Sequence, residues 1–241
     1  MALAARTGAW SKSGSPTPAA YGGLCFTAEA DNASVQLTAV GSAPAVTLVK
    51  SFDGVNWEAY AVGEVIDLPS TGDYVYLAAG EVGNETFGSS TSAYHQFVIN
   101  GLVAASGDIT SLRRFDLEQT KLAVRCYRHM FKGCTGLTSA PELPATTLGN
   151  YCYQSMFEGC TGLTSAPELP ATTLGNYCYQ YMFSGCTNLS LIKVHFTAWG
   201  AQTSSWVSNI KSTGTFYKPT ALPEEYGTNK IPTGWAVVNI D

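Results

Sequence analysis

Residues 126–189 read CYRHMFKGCTGLTSAPELPATTLGNY, CYQSMFEGCTGLTSAPELPATTLGNY and CYQYMFSGCTNL. The first two copies are 26 residues long and differ at three positions only, Arg128/Gln154, His129/Ser155 and Lys132/Glu158. Self-similarity at such a period marks a stacked repeat, in which no unit can bury its apolar face alone. Across the start of the second copy, Leu148, Tyr151, Cys152, Met156 and Phe157 fall at helical spacing, three and four apart. That spacing predicts a short amphipathic helix, with Thr146 or Thr147 as cap and Gly159 as stop. Gly162-Leu163-Thr164-Ser165-Ala166 suits a turn and a short strand, and Pro167 and Pro170 hold Glu168-Leu169 extended. Stacking such units predicts ladders of Leu137 on Leu163 and Leu189, and of Phe131 on Phe157 and Phe183.

The flanks follow from this centre. Thr120-Lys121-Leu122 aligns with Thr146-Thr147-Leu148, so residues 102–125 read as a degenerate leading repeat. Before it, short alternating runs such as Val35-Gln36-Leu37, Val65-Ile66-Asp67-Leu68, Tyr74-Val75-Tyr76-Leu77 and Phe97-Val98-Ile99 are parted by turn signals, of which Asp53-Gly54 is the clearest. These runs predict a small sandwich, immunoglobulin-like in a loose sense. After Leu189 the pattern decays into strand candidates at Leu191–Phe196, Gly214–Tyr217 and Trp235–Val238 and a short helix candidate at Ser204–Ile210. The expected class is therefore α+β: an arm (1–20), a β-sandwich (21–104), a leucine-rich solenoid of strand-plus-helix repeats (105–189) and a C-terminal cap (190–241). The arm is rich in Ala, Gly, Ser and Pro, with Trp10 its large apolar residue. Two expectations stay open for it: packing on its own domain, or docking on a neighbouring subunit of a homo-oligomer or larger assembly.

The phrase CYxxMFxGCTxLTSAPELPATTL resembles the BspA-like leucine-rich-repeat surface proteins, found in bacteria of the gut and mouth and in some of their phages. The likeness is specific over about residues 109–198 and extends, more weakly, to LCFTAEADNASVQL, SFDGVNW and TGTFYKPTALPEEYGTNKIPTGW. The resemblance implies a strand-plus-helix repeat and a surface-displayed binding or adhesion protein.

Composition narrows the classes. Hydrophobic residues make up 45% and charged residues 13% of the 241-residue chain, which fits a globular protein. The net charge of −5 and the lack of a basic patch beyond Arg113-Arg114 argue against a nucleic-acid partner. No apolar run approaches the roughly 20 residues that span a bilayer. The opening MALAARTGAWSKSGSPTPAA lacks the apolar stretch of a secretory signal.

Seven cysteines comprise Cys25 and two columns, 126/152/178 and 134/160/186. Zinc sites favour closer pairs. Residues eight apart on one helix lie about 12 Å apart, beyond the roughly 4.4–6.8 Å a disulfide spans. Small buried apolar residues are the simpler reading, with inter-repeat bridges the alternative; no cofactor or metal is expected.

No nucleophile motif, phosphate loop or dinucleotide fingerprint occurs. Glu142 and Glu168 are equivalent positions in successive copies and are the one carboxylate pair that could serve glycoside hydrolysis. The chain is otherwise expected to be no enzyme. The informative pattern lies in the differences between copies. Arg128, His129 and Lys132, then Gln154, Ser155 and Glu158, then Gln180, Tyr181 and Ser184 would share one helix face. That face is either ordinary solvent-exposed surface or a recognition surface. The hydroxyls of Thr138, Ser139, Thr164 and Ser165 mark a competing strand face. The expected role is a non-enzymatic module on a virion surface (head decoration, fibre or tail), held to other virion proteins by arm and sandwich and offering its repeats to host glycan or protein. A bacterial cell-surface adhesin is the second expectation.

Overall fold

The computed structural model describes residues 22–114 and 120–240; the expectations for the arm fall outside them. Of the N-terminal strands, those at Ala33–Val40, Val65–Leu68, Tyr94–Asn100 and Val103–Ser106 alternate inward and outward residues, as a half-buried sheet demands, whereas Tyr74–Ala79 is buried along nearly its whole length. In chain order the strands are β1 (Cys25–Ala28), β2 (Ala33–Val40), β3 (Leu48–Ser51), β4 (Glu58–Tyr60), β5 (Val65–Leu68), β6 (Tyr74–Ala79), β7 (Tyr94–Asn100) and β8 (Val103–Ser106). Two antiparallel layers result, β5-β2-β7 and β8-β1-β6-β3-β4. They meet where Phe26 of β1 packs edge-on against Phe97 of β7, ring centres 4.9 Å apart.

The solenoid supplies short parallel strands: β9 (Lys121–Leu122), β10 (Leu137–Ser139), β11 (Thr147–Leu148), β12 (Thr173–Leu174), β13 (Leu191–Lys193), β14 (Thr215–Pro219) and β15 (Ala236–Ile240). Leu122, Leu148 and Leu174 stand in register along β9-β11-β12. The region expected as a closing cap carries on the winding, since β13, β14 and β15 form another parallel ladder. In these last coils the indoles of Trp199, Trp206 and Trp235 each donate to a carbonyl at a sequence separation of 24.

The α+β expectation is overturned. Among the described residues there is no α-helix, only two 3-10 turns at Ile109–Leu112 and Ala201–Thr203. The repeats form a β-solenoid of turns and short strands, not strand-plus-helix units. The physical reason is visible in the backbone hydrogen bonds. Along 126–134 alternate N–H groups bond within the segment, as Arg128 to Arg125 O (3.3 Å) and Met130 to Tyr127 O (3.2 Å). Those between them cross to the next coil, as His129 to Gln154 O (3.0 Å) and Phe131 to Met156 O (2.9 Å). The second and third copies repeat the scheme: Ser155 donates to Gln180 O and Tyr181 to Ser204 O. A helix of about ten residues is marginal by itself, whereas crossing bonds recur in every coil.

The alternation needs left-handed backbone at matched positions, found at Arg125, Tyr151 and Tyr177 and at His129, Ser155, Tyr181 and Ser205. Each such residue costs roughly 1–2 kcal/mol, offset by the bond it turns toward its neighbour and by identical side chains stacking. The helix expected at Ser204–Ile210 fails for the same reason, with Ser205 and Asn209 left-handed.

One core runs through both parts. The rings of Phe97, Phe131, Phe157 and Phe183 follow one another at 5.1, 5.5 and 5.8 Å, and Trp206 closes the row 6.2 Å beyond Phe183. Phe87, Tyr127, Tyr153 and Tyr179 form a second row at 5.5, 6.2 and 6.2 Å. Burying each such ring contributes roughly 1.5–3 kcal/mol. The junction is backbone-paired: β10 lies parallel to β8, with Val103 N–H donating to Gly136 O at 3.0 Å. A glycine is required here, because a Cβ at residue 136 would sit 1.9 Å from Gly101 O.

Candidate functional site

The positions that differ between copies lie on the turn segment just described, and the column His129, Ser155 and Tyr181 is itself left-handed. Stacking sorts them into three neighbouring columns: 128/154/180, 129/155/181 and 132/158/184. The expected single helix face does not exist, and in the first two copies the side chains of the first two columns are buried, while Lys132 and Glu158 stay partly exposed. Arg128 is 6% exposed, His129 8%, Gln154 7% and Ser155 2%, whereas Tyr181 reaches 40%. Part of the cover comes from β7, whose Tyr94 ring lies 4.5 Å from that of His129.

Each column has its own chemistry. Lys132 Nζ pairs with Glu158 Oε2 at 2.9 Å, and Ser184 follows, half-buried. Gln154 Nε2 donates to Gln180 Oε1. In the first copy the buried Nε and Nη1 of Arg128 and Nδ1 of His129 have no hydrogen-bond partner, and neither does Oε1 of Gln154. Burial pushes the His129 imidazole down to about 4, helped by the charges of Arg128 and Lys132. It is held neutral at pH 7.

Beside these columns runs a group that the sequence reading passed over. The Arg125 guanidinium lies 5.3 Å from the Tyr151 ring centre, and Tyr151 stacks on Tyr177 at 5.3 Å. Asn176 N–H donates to Asn150 Oδ1 at 2.8 Å. The signal was the Asn-Tyr dipeptide closing each of the first two copies, Asn150-Tyr151 and Asn176-Tyr177, one period apart.

The strand face is more modest. Ser139 Oγ donates to Ala105 O (2.8 Å), and Thr164 and Ser165 are exposed. Glu142 and Glu168 have diverged in role. Glu142 is exposed, and its backbone accepts from Ile109 N–H at 3.2 Å. Glu168 Oε1 contacts Lys193 Nζ at 2.9 Å and His195 Nε2 at 2.6 Å. The Lys193 hydrogen bond, with a smaller share from His195, holds the Glu168 carboxyl below the ordinary carboxylate range. A carboxyl so held is a poor proton donor at neutral pH.

All seven cysteines are free, buried thiols. In one column they act as weak donors to the preceding coil, Cys134 to Phe97 O (3.2 Å), Cys160 to Phe131 O (3.0 Å) and Cys186 to Phe157 O (3.0 Å). Burial pushes Cys134 and Cys186 up to about 12. Among the described residues no group of three or more His, Cys, Asp or Glu is placed to hold a metal ion, and no helix is long and apolar enough to cross a membrane.

No protein-family model matches the chain, and neither a curated protein nor a solved structure matches it.

Proposed function

We propose that this chain is a non-enzymatic structural and binding module of a virion, a head decoration, fibre or tail protein, that presents its solenoid for attachment to a host glycan or protein. One observation carries the reading. The sandwich and the coils share a single ring-stacked core, so the molecule is a stiff unit whose first two copies differ only along three adjoining columns. A scaffold that is constant except along one strip suits display better than turnover. Glu168, the one carboxylate of the candidate pair with cationic partners, is engaged in ion pairing, which weighs against the carbohydrate-active reading.

The resemblance of the repeat phrase to BspA-like proteins favours a second reading, an adhesin on a bacterial surface. Mass spectrometry of purified virions separates the two. The chain is expected among the virion proteins at structural copy number. Its absence there, with release by mild proteolysis of intact bacteria, removes the virion reading in favour of the adhesin.

A further inference from the structure

Arg128 carries a positive charge into the turn segment and meets no carboxylate among the described residues. Among the described residues the ion pairs use Lys50, Lys132, Lys193, His195 and Lys230, never an arginine. Nε and Nη1 of Arg128 are buried and unpartnered. Burial, then the like charge of Arg125, disfavours the charged form of Arg128, an effect that Tyr94 and Tyr151 oppose only weakly. A buried charge without compensation is among the costliest arrangements a fold can hold.

The column supplies an internal control. The same position holds Gln154 and Gln180 in the next two coils, neutral amides bonded to each other. The arginine is therefore no requirement of the turn. It stands beside Arg125, whose guanidinium lies over the Tyr151 ring. Two guanidiniums without counter-charges among the described residues thus adjoin tyrosine rings, in a chain whose net charge is −5. Guanidinium donors suit the planar or tetrahedral oxygens of carboxylate and sulfate. Aromatic rings beside them offer a surface for a sugar face.

We infer that Arg128 and Arg125 form a receptor for an oxyanion, a sulfate or carboxylate borne by a host-surface saccharide. The inference rests on the attachment role proposed above and names its ligand chemistry. Approach is through the small exposed part of Arg128 and the half-buried Arg125 and Tyr151.

The test uses the full chain and its Arg128→Gln variant, a side chain already housed at this position in two coils. Thermal unfolding and direct binding are measured with inorganic sulfate, a sulfated oligosaccharide, a uronate oligosaccharide and a neutral oligosaccharide at matched ionic strength. The expected result has three parts. An anionic saccharide raises the melting temperature in proportion to its occupancy. Arg128→Gln weakens its binding by roughly thirtyfold or more. Without ligand, the variant melts at or above the parent temperature, because it lacks the uncompensated charge.

Stabilisation by inorganic sulfate alone would overturn the saccharide assignment. Equal binding by parent and variant, or no response to any anion, would overturn the receptor. Binding of the neutral saccharide by both proteins would overturn it too, while leaving the attachment role standing. A chain that binds no host cell at all would instead remove the attachment role.

Discussion

Phe97 stacks on Phe131 with ring centres 5.1 Å apart and an interplanar angle of 20°, and its N–H donates to Met130 O at 2.7 Å. It thus repeats the relation of Phe131 to Phe157 one coil later, although Phe97 belongs to the sandwich. The outer strand of one layer acts as the zeroth winding of the solenoid. Phe131→Ala is therefore expected to cost about 3–5 kcal/mol and to destabilise sandwich and coils together. Urea unfolding followed by tryptophan fluorescence and by far-UV circular dichroism checks this. Coincident transitions are expected, and two separated transitions would contradict the shared core.

The junction has a second requirement at Gly136. Gly136→Ala places a methyl against the Gly101 carbonyl, and the loss should reach about 3 kcal/mol or more, well above the roughly 0.5 kcal/mol of an ordinary surface change. Gly159→Ala is the comparison. It meets only the Gly133 backbone at van der Waals distance but keeps a left-handed backbone, so about 1–2 kcal/mol is expected. Melting temperatures of the two variants should rank accordingly.

His129 gives the fold a dependence on acid. Its folded value lies near 4, below the ordinary 6.5. Between those values the unfolded chain binds more protons than the folded one, so stability rises with pH across the window and is lost as the pH falls through it. The slope should amount to about 1–3 kcal/mol over the window. His129→Ser, which copies Ser155, should flatten it. Chemical denaturation at pH 7, 5.5 and 4, taken as roughly spanning this titration, reads the difference.

The column of Lys132 and Glu158 is a partly exposed pair, worth about 0.2–1 kcal/mol. Lys132→Glu should lower stability by about that much, more at low salt than at high, and adding Glu158→Lys should restore it. A double-mutant cycle at two ionic strengths measures the coupling.

The cysteine columns should be inert. With Cys134 and Cys186 pushed up to about 12 by burial, a thiol reagent at mildly alkaline pH should modify them only after denaturant is added. Cys160→Ala should leave assembly of the fold intact and cost roughly 1 kcal/mol for the lost volume and the weak bond to Phe131 O.

The ladders could be read from the chain because stacking preserves residue type. Phe131 over Phe157 over Phe183 needs only the period, and Leu122 beside Leu148 needs only the alignment of Thr120-Lys121-Leu122. What the spacing misassigned was the local backbone. Tyr151, Cys152, Met156 and Phe157 satisfy a helical stripe equally well as residues of a turn ribbon, since both place apolar groups inward at mixed intervals. The deciding quantity, hydrogen bonding to the next coil, is non-local and leaves no mark on a single copy. The same error hid the site. On a helix Arg128, His129 and Lys132 would share one outward face, whereas the ribbon buries the first two, with the Tyr94 ring against His129. The pairing of Arg125 with Tyr151, a residue assigned only to the apolar stripe, went unnoticed because the contact joins successive coils.

The matched left-handed residues and crossing bonds make every joint between the near-identical coils interchangeable. Excising residues 152–177 would bring Tyr151 directly before Cys178, a seam with the same neighbours on both sides as the one removed. Gain or loss of a whole copy then alters the reach of the molecule by one strand spacing, about 4.8 Å, while sandwich and final coils keep their own contacts. Its length is a countable quantity, open to change by recombination between the repeated stretches of its gene.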